Sequence, residues 1–231
     1  MRILAIDTAT NSCSVALWCD KSIVSSTTEI MSRGQAEALV PMINTTLEEA
    51  AVTANDLNLL AVTVGPGAFT GLRIGLATAR GIALAANVPC LGLTTTEVIA
   101  HAVNTDMWQQ GTLLVSIDSK RTDIYVQAFQ LGLAPLKKPI AIDPAALGDW
   151  LKDVPRPIHV VGDAKQKATS ALIRSGHEPI TIEKHDAPDG SVMAELASQR
   201  WTCGDILEAP VPLYLRPPDA KLPRDGGRIR S

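Results

Sequence analysis

Two hydrophobic rhythms alternate along the first hundred residues. Residues 2–7 form a short apolar run closed by the carboxylate of Asp7, and residues 12–18 alternate Cys13, Val15 and Leu17 against Ser14, Ala16 and Trp18. Both predict strands, joined by the small polar turn 8–11. Residues 22–29 are β-branched enough to add a third. From Gln35 to Ala50 the period changes, with Ala36, Leu39, Val40, Ile43, Leu47 and Ala50 on one helical stripe. Pro41 lies inside it and is expected to kink the helix or to end a loose first turn.

Residues 57–64 run apolar without alternation, as in a strand buried on both faces. A glycine-rich turn follows, then a nearly all-apolar helix to about Ala86. Residues 88–93 predict another strand, and residues 95–103 a helix capped by threonine. The second half repeats this plan more weakly. Strands are expected at 113–118, 123–130 and 159–161, with helices after Pro144, from Lys165 and from Ser191. Two similar halves are suggested by the order of elements, without a strict sequence repeat.

With 231 residues, 46 % of them hydrophobic, the chain can build a sizeable core. Cys13, Cys19, Cys90 and Cys203 form no CxxC pair, which argues against disulfides and a cysteine-built zinc site and fits a reducing cytosol. The five residues from Arg2 to Ile6 are too few for the apolar region of a secretory leader, and later apolar runs are broken before they could span a bilayer. A cytoplasmic, membrane-free protein is expected. The formal charge of −3 and an aromatic content of 3 % argue against tight independent nucleic-acid binding and against a stacking platform for bases.

Candidate chemistry begins at Asp7, Thr8 and Thr10, a carboxylate at a strand end followed by hydroxyls in a turn. They could meet a nucleotide phosphate and its metal-bound water, or merely satisfy turn amides. The stretch 65–75 is more specific, because Gly65 and Gly67 place backbone N–H groups at a helix start, where an anion is favoured. It matches neither the P-loop nor the GxGxxG pattern. Gly71, Gly75 and Ala79 recur every fourth residue, leaving a stripe open to another backbone, of this chain or of a partner. His101, His159, His177 and His185 make no metal-binding pair, and no nucleophile can be nominated.

Asp7-Thr8-Ala9-Thr10, the run from Gly65 to Gly75, Ile117-Asp118-Ser119-Lys120-Arg121 ahead of Tyr125, and Pro212-Leu213-Tyr214-Leu215-Arg216 together resemble the TsaB (YeaZ) family over nearly all of the chain up to Arg216. The resemblance implies the α/β fold of the actin, Hsp70 and hexokinase superfamily, with two related actin-like (ribonuclease H-like) lobes, each a mixed sheet flanked by helices. The lobes are expected at 1–103 and 104–216, the last helix (about 191–203) packing back on the first lobe, and 217–231 as a flexible tail. It also implies a non-catalytic scaffold that binds TsaD as a heterodimer, joins TsaE in a larger complex and self-pairs when alone. That assembly transfers a threonylcarbamoyl group to the anticodon-adjacent adenosine of tRNA, which this chain reaches only indirectly.

By the same resemblance, the helices beginning near Gln35 and Thr70 form the partner surface. Leu39, Met42, Ile43, Leu72 and Leu76 are expected as apolar anchors, and Gly75, Ala79 and Ala83 as points of close approach. Where active relatives carry glycine-rich loops, this chain has Ala9, Asp118-Ser119-Lys120-Arg121 and Gly162-Asp163-Ala164. No cofactor is therefore required, and only weak, vestigial ATP or ADP binding is expected, at the partner interface, through Asp7, Thr8, Thr10, Gly65 and Gly67. The alternatives are an independent ATP-dependent kinase of a small molecule and, ranked last, a peptidase.

Overall fold

In the computed structural model, which describes residues 1–103, 106–201 and 209–216, two five-stranded sheets are built on one plan. The first half comprises β1 (Arg2–Asp7), β2 (Ser12–Cys19), β3 (Ser22–Ile30), α1 (Gln35–Glu49), β4 (Leu59–Gly65), α2 (Phe69–Ala86), β5 (Cys90–Thr94) and α3 (Thr95–Ala102). The second comprises β6 (Thr112–Asp118), β7 (Ile124–Phe129), β8 (Ile140–Ile142), α4 (Leu147–Trp150), β9 (Ile158–Val161), α5 (Lys165–Arg174), β10 (Ile180–Thr181) and α6 (Gly190–Arg200).

The strand orders, β3-β2-β1-β4-β5 and β10-β9-β6-β7-β8, superimpose element for element. In each sheet the leading hairpins are antiparallel, and the first strand pairs in parallel with the strand that follows the first helix.

Strand periodicity decides which helix covers which face. Leu4, Ile6, Leu60 and Val62 point to one side of the first sheet, where α1 and α2 supply Leu39, Met42, Ile43, Leu76, Ala79 and Ala83. Ile3, Ala5, Leu59 and Ala61 point to the other, where α6 supplies Met193, Ala194, Leu196 and Ala197 and α3 supplies Val98. In the second sheet Leu114, Val126 and Val160 meet α4 and α5 through Leu147, Leu151, Ala168 and Leu172. Leu113, Val115 and Ile117 meet Ile99, Ala100 and Val103 from α3. Helix α3 thus contributes apolar side chains to both sheets, and α6 returns to the first.

Local chemistry sets several boundaries. Helix α3 begins at Thr95 and is capped by a threonine, as the pattern predicts; the cap is Thr94, whose hydroxyl accepts from Glu97 N at 3.2 Å while Glu97 Oε1 accepts from Thr94 N at 2.7 Å. Helix α1 continues through Pro41, which neither ends it nor marks a first turn, because the proline lies on the exposed face and water can satisfy the carbonyl left without a donor. The helix expected after Pro144 is a 3-10 turn (Pro144–Ala146) leading into the single turn of α4. Strands β8 and β10 are edge strands of three and two residues, too short to leave a period in the sequence. Among the described residues, no helix is long and apolar enough to cross a membrane. Helix α6 ends at Arg200, short of the expected 203, and Cys203 and the tail 217–231 lie outside the described residues.

Candidate functional site

Asp7, Thr8, Thr10, Gly65 and Gly67 come together where β1 and β4 end side by side. Gly67 and Thr10 border cavities, whereas Asp7 does not. Asp7 is fully buried, accepting from Thr63 Oγ1 at 2.6 Å, Ala9 N at 3.0 Å and Ser12 Oγ at 3.5 Å. Burial raises its pKa to about 6, against the lowering effect of those hydrogen bonds.

The glycine turn lies directly on the β1–β2 turn. Ala68 N donates to Ala9 O at 2.7 Å, and Thr8 Oγ1 donates to Gly71 O at 2.7 Å. A Cβ at Gly67 would stand 2.3 Å from Ala9 O, one at Gly71 2.0 Å from Thr8 O, and one at Gly75 2.6 Å from Thr8 Oγ1. These glycines therefore exist for contact within this chain, and one turn amide that an anion would need is already engaged. Gly65 is pressed from the other side, a Cβ there meeting the carbonyl oxygen of Leu213 at 2.9 Å.

The side chains expected to grip a partner are also turned inward. Leu39, Met42, Ile43, Leu72, Leu76, Ala79 and Ala83 are at most 8 % exposed, and Gly75 is buried against Thr8. They serve this chain's own core because they occupy the helical stripe facing the first sheet. The outward faces of α1 and α2 carry another set, in which Val40 is 51 % and Leu84 84 % exposed and Ala77, Gly81 and Ala85 lie open. A Cβ at Gly81 would meet nothing within 4 Å.

Between the lobes lies a cavity of about 590 Å³. Its walls are the start of α2 (Gly67 to Arg73), the β6–β7 turn (Ser119, Lys120, Arg121) with Tyr125, and the segment Leu213 to Arg216. Three of the four stretches that carried the family resemblance thus converge on one cleft.

The segment 209–216 straps the lobes together. Leu213 N donates to Val64 O at 2.7 Å, Arg80 donates to Pro210 O, Tyr214 packs on Phe69 with ring centroids 5.2 Å apart, and Arg216 pairs with Asp123. Arg73 lies over the Phe69 ring at 3.7 Å and donates to Tyr214 Oη at 3.3 Å. Lys120 adopts φ +61° within its turn. Burial opposes ionisation of Asp118, but Lys167 at 2.9 Å, the Lys120 amide at 3.0 Å and the charges of both lysines outweigh it and hold its carboxyl below the usual range. Phe69, Arg73, Tyr125, Tyr214 and Arg216 were not legible as one site, because residues as distant in the chain as Phe69 and Tyr214 meet there.

A second cavity, of about 640 Å³, adjoins the first and shares Ala68, Thr70 and Lys120 with it, extending past Thr10 and Asn11 to Arg33 and Glu37. Among the described residues, no group of three His, Cys, Asp or Glu side chains is arranged to hold a metal ion.

The sequence model of the family described as "TsaD: tRNA N6-adenosine threonylcarbamoyltransferase" matches residues 22–170. The tRNA threonylcarbamoyladenosine biosynthesis protein TsaB of Escherichia coli (strain K12) is 38 % identical over 133 residues, 56 % of this chain and 55 % of that protein. The chain therefore spans about half the length of that curated relative. The solved structure of YeaZ from Pseudomonas aeruginosa aligns over 93 % of this chain and 99 % of its own, with a TM-score of 0.76 and 25 % identity. The ROK hexokinase from Thermus thermophilus, at a TM-score of 0.51 and 13 % identity over 86 % of this chain and 100 % of its own, shares the fold alone. Since the family model covers well over half of the sequence and a YeaZ structure superposes on nearly all of it, the chain belongs to the tRNA N6-adenosine threonylcarbamoyltransferase family, among its TsaB/YeaZ members with the actin-like fold.

Proposed function

We propose that this chain is a scaffold subunit in tRNA threonylcarbamoyladenosine biosynthesis, one that catalyses nothing itself and holds a TsaD-type subunit against the outward face of α1 and α2, with TsaE joining the assembly. The observation that carries this reading is the contact of the glycine turn with Thr8 and Ala9, which leaves Asp7 fully buried where a working phosphate loop would present it to nucleotide and metal. The wedge of Lys120 and Arg121 at the corresponding turn of the second lobe supports the same conclusion, since both reach into the cleft where glycine would leave room.

The partner surface rests on Gly81. A glycine inside a helix costs about 1 kcal/mol relative to alanine, and nothing among the described residues takes advantage of its small size. Ala77 and Ala85 flank it one turn away on either side, with Leu84 as a largely exposed apolar anchor and Val40 on the neighbouring helix. Such a face suits a second helix at close range, from TsaD or, in its absence, from another copy of this chain.

Reconstitution tests the reading. Purified TsaD, TsaE and the adenylate-forming enzyme are combined with tRNA, with and without this chain, and threonylcarbamoyladenosine is quantified by mass spectrometry. The modification should depend on this chain; equal yields without it would sink the scaffold.

A further inference from the structure

The two adjoining cavities make one groove whose charge is opposite to that of the whole protein. Arg73, Lys120, Arg121 and Arg216 line one part and Arg33 and Lys120 the other; among the described residues Glu37 is the one lining carboxylate, while Asp118 and Asp123 pair with Lys120 and Arg216 from behind the lining. The chain carries a formal −3. Aromatic rings gather there too. Of two phenylalanines and two tyrosines in the chain, Phe69, Tyr125 and Tyr214 all line this groove. Phe69 remains 48 % and Tyr214 43 % exposed although they pack on each other. Cations spaced along a groove with accessible rings between them suit a strand of phosphodiesters, whose bases offer a π-face at each step.

We propose that this groove receives a single-stranded RNA segment, its phosphates on Lys120, Arg121 and Arg33 and a base on the exposed ring of Tyr214, since Arg73 already covers Phe69. The choice of RNA over other polyanions rests on the proposed place in tRNA modification; the groove's affinity for phosphodiesters does not. A strand fits better than a free nucleotide with its metal for two reasons. Among the described residues no Asp or Glu lines the first cavity to hold a cation, and Asp7 is sealed beneath the glycine turn. RNA contact thereby becomes direct, through the body of the fold.

The test uses the full chain and fluorescein-labelled oligoadenylate, read by fluorescence anisotropy at low salt. Saturable binding should weaken linearly with the logarithm of salt concentration. Lys120→Glu and Arg121→Glu, both on an exposed turn, should each weaken it about tenfold, and Tyr214→Ala by a similar factor, with circular dichroism confirming that each variant is folded. Absence of binding, unchanged affinity in both charge reversals, or displacement of RNA by lower concentrations of magnesium-ATP than of unlabelled oligoadenylate would overturn the proposal. Should Tyr214→Ala misfold, the two charge reversals still decide the matter. The pathway reading stands or falls separately: a chain required in the reconstituted modification that binds no RNA removes the groove alone, and a chain that binds RNA yet is dispensable keeps the groove and removes the pathway.

Discussion

The carbonyl oxygen of Thr8 lies 2.0 Å from the point where a Cβ on Gly71 would stand, while the Thr8 hydroxyl donates to the Gly71 carbonyl at 2.7 Å. The two backbones thus approach as closely as only glycine permits, and the Thr8 side chain holds them there. Gly71→Ala should destabilise the chain by at least about 3 kcal/mol, because the clash is with main chain rather than a side chain that can swing away. Gly81→Ala should do the opposite, raising stability by roughly 0.5–1 kcal/mol, since its Cβ would enter open space on a helix. Urea unfolding of both variants checks the pair; equal effects would mean that Gly71 is not packed and Gly81 not open as described.

Asp7 should leave a signature in pH. Burial raises its folded pKa to about 6 from the ordinary 3.8, so between these values the native chain keeps a proton that the unfolded chain has released. Its contribution to stability is then fully present below about pH 4 and is lost as pH rises through 6, by about 3 kcal/mol in all. Asp7→Asn keeps an acceptor for Thr63 and Ala9 and can donate to Ser12, so it should abolish this slope and be the more stable protein at neutral pH. Chemical denaturation from pH 4 to 8 reads both curves, and identical slopes would count against a buried, protonatable Asp7.

His159 should act with the opposite sign. It is 7 % exposed on β9, neither ring nitrogen has a hydrogen-bond partner among the described residues, and burial lowers its pKa below 6.5. The unfolded chain therefore takes up a proton near pH 6.5 that the native chain resists, and stability falls as the solution is acidified through that point. His159→Leu should remove this acid-side loss and, by replacing two unpaired nitrogens, gain about 1 kcal/mol at neutral pH. Thermal unfolding at pH 5.5 and 7.5 separates it from the effect of Asp7.

The two faces of α2 can be told apart by one charge. Ala77→Arg should yield a folded chain that no longer comigrates with TsaD in size-exclusion chromatography, since the exposed position would place an unpaired charge in the proposed interface. Ala79→Arg, two residues on and fully buried against the first sheet, should fail to fold stably instead. A folded Ala79→Arg chain would contradict the packing, and an intact complex with Ala77→Arg would move the partner elsewhere.

Much of the lobe plan could be read from the sequence alone. Alternation at 12–18, the unbroken apolar run ending in Val64 and the helical stripe after Gln35 each reflect a local rule: a side chain's direction follows from its place in a strand or helix whatever it packs against. The same locality explains the omissions. β8 and β10 are edge strands with too few residues to establish a period, and the one-turn α4 has no stripe to show.

What a stripe packs against is not written in its period. Leu39, Met42, Ile43 and Leu76 would look the same facing a partner, yet the sheet formed by β1 and β4 claims them, because an isolated chain buries its apolar surface on whatever its own topology brings near. Gly71 and Gly75 likewise announced a close approach, but only folding showed that the visitor is Thr8.

By itself, the sequence determined the kind of element at each stretch and the family whose motifs it carries. Tertiary structure alone decided that Asp7 is sealed beneath the glycine turn, that the face of α2 bearing Gly81 is turned outward, and that Phe69, Arg73, Tyr214 and Arg216 meet in one cleft. These are relations between positions far apart in the chain, set by sheet order and strand register rather than by any neighbouring residue.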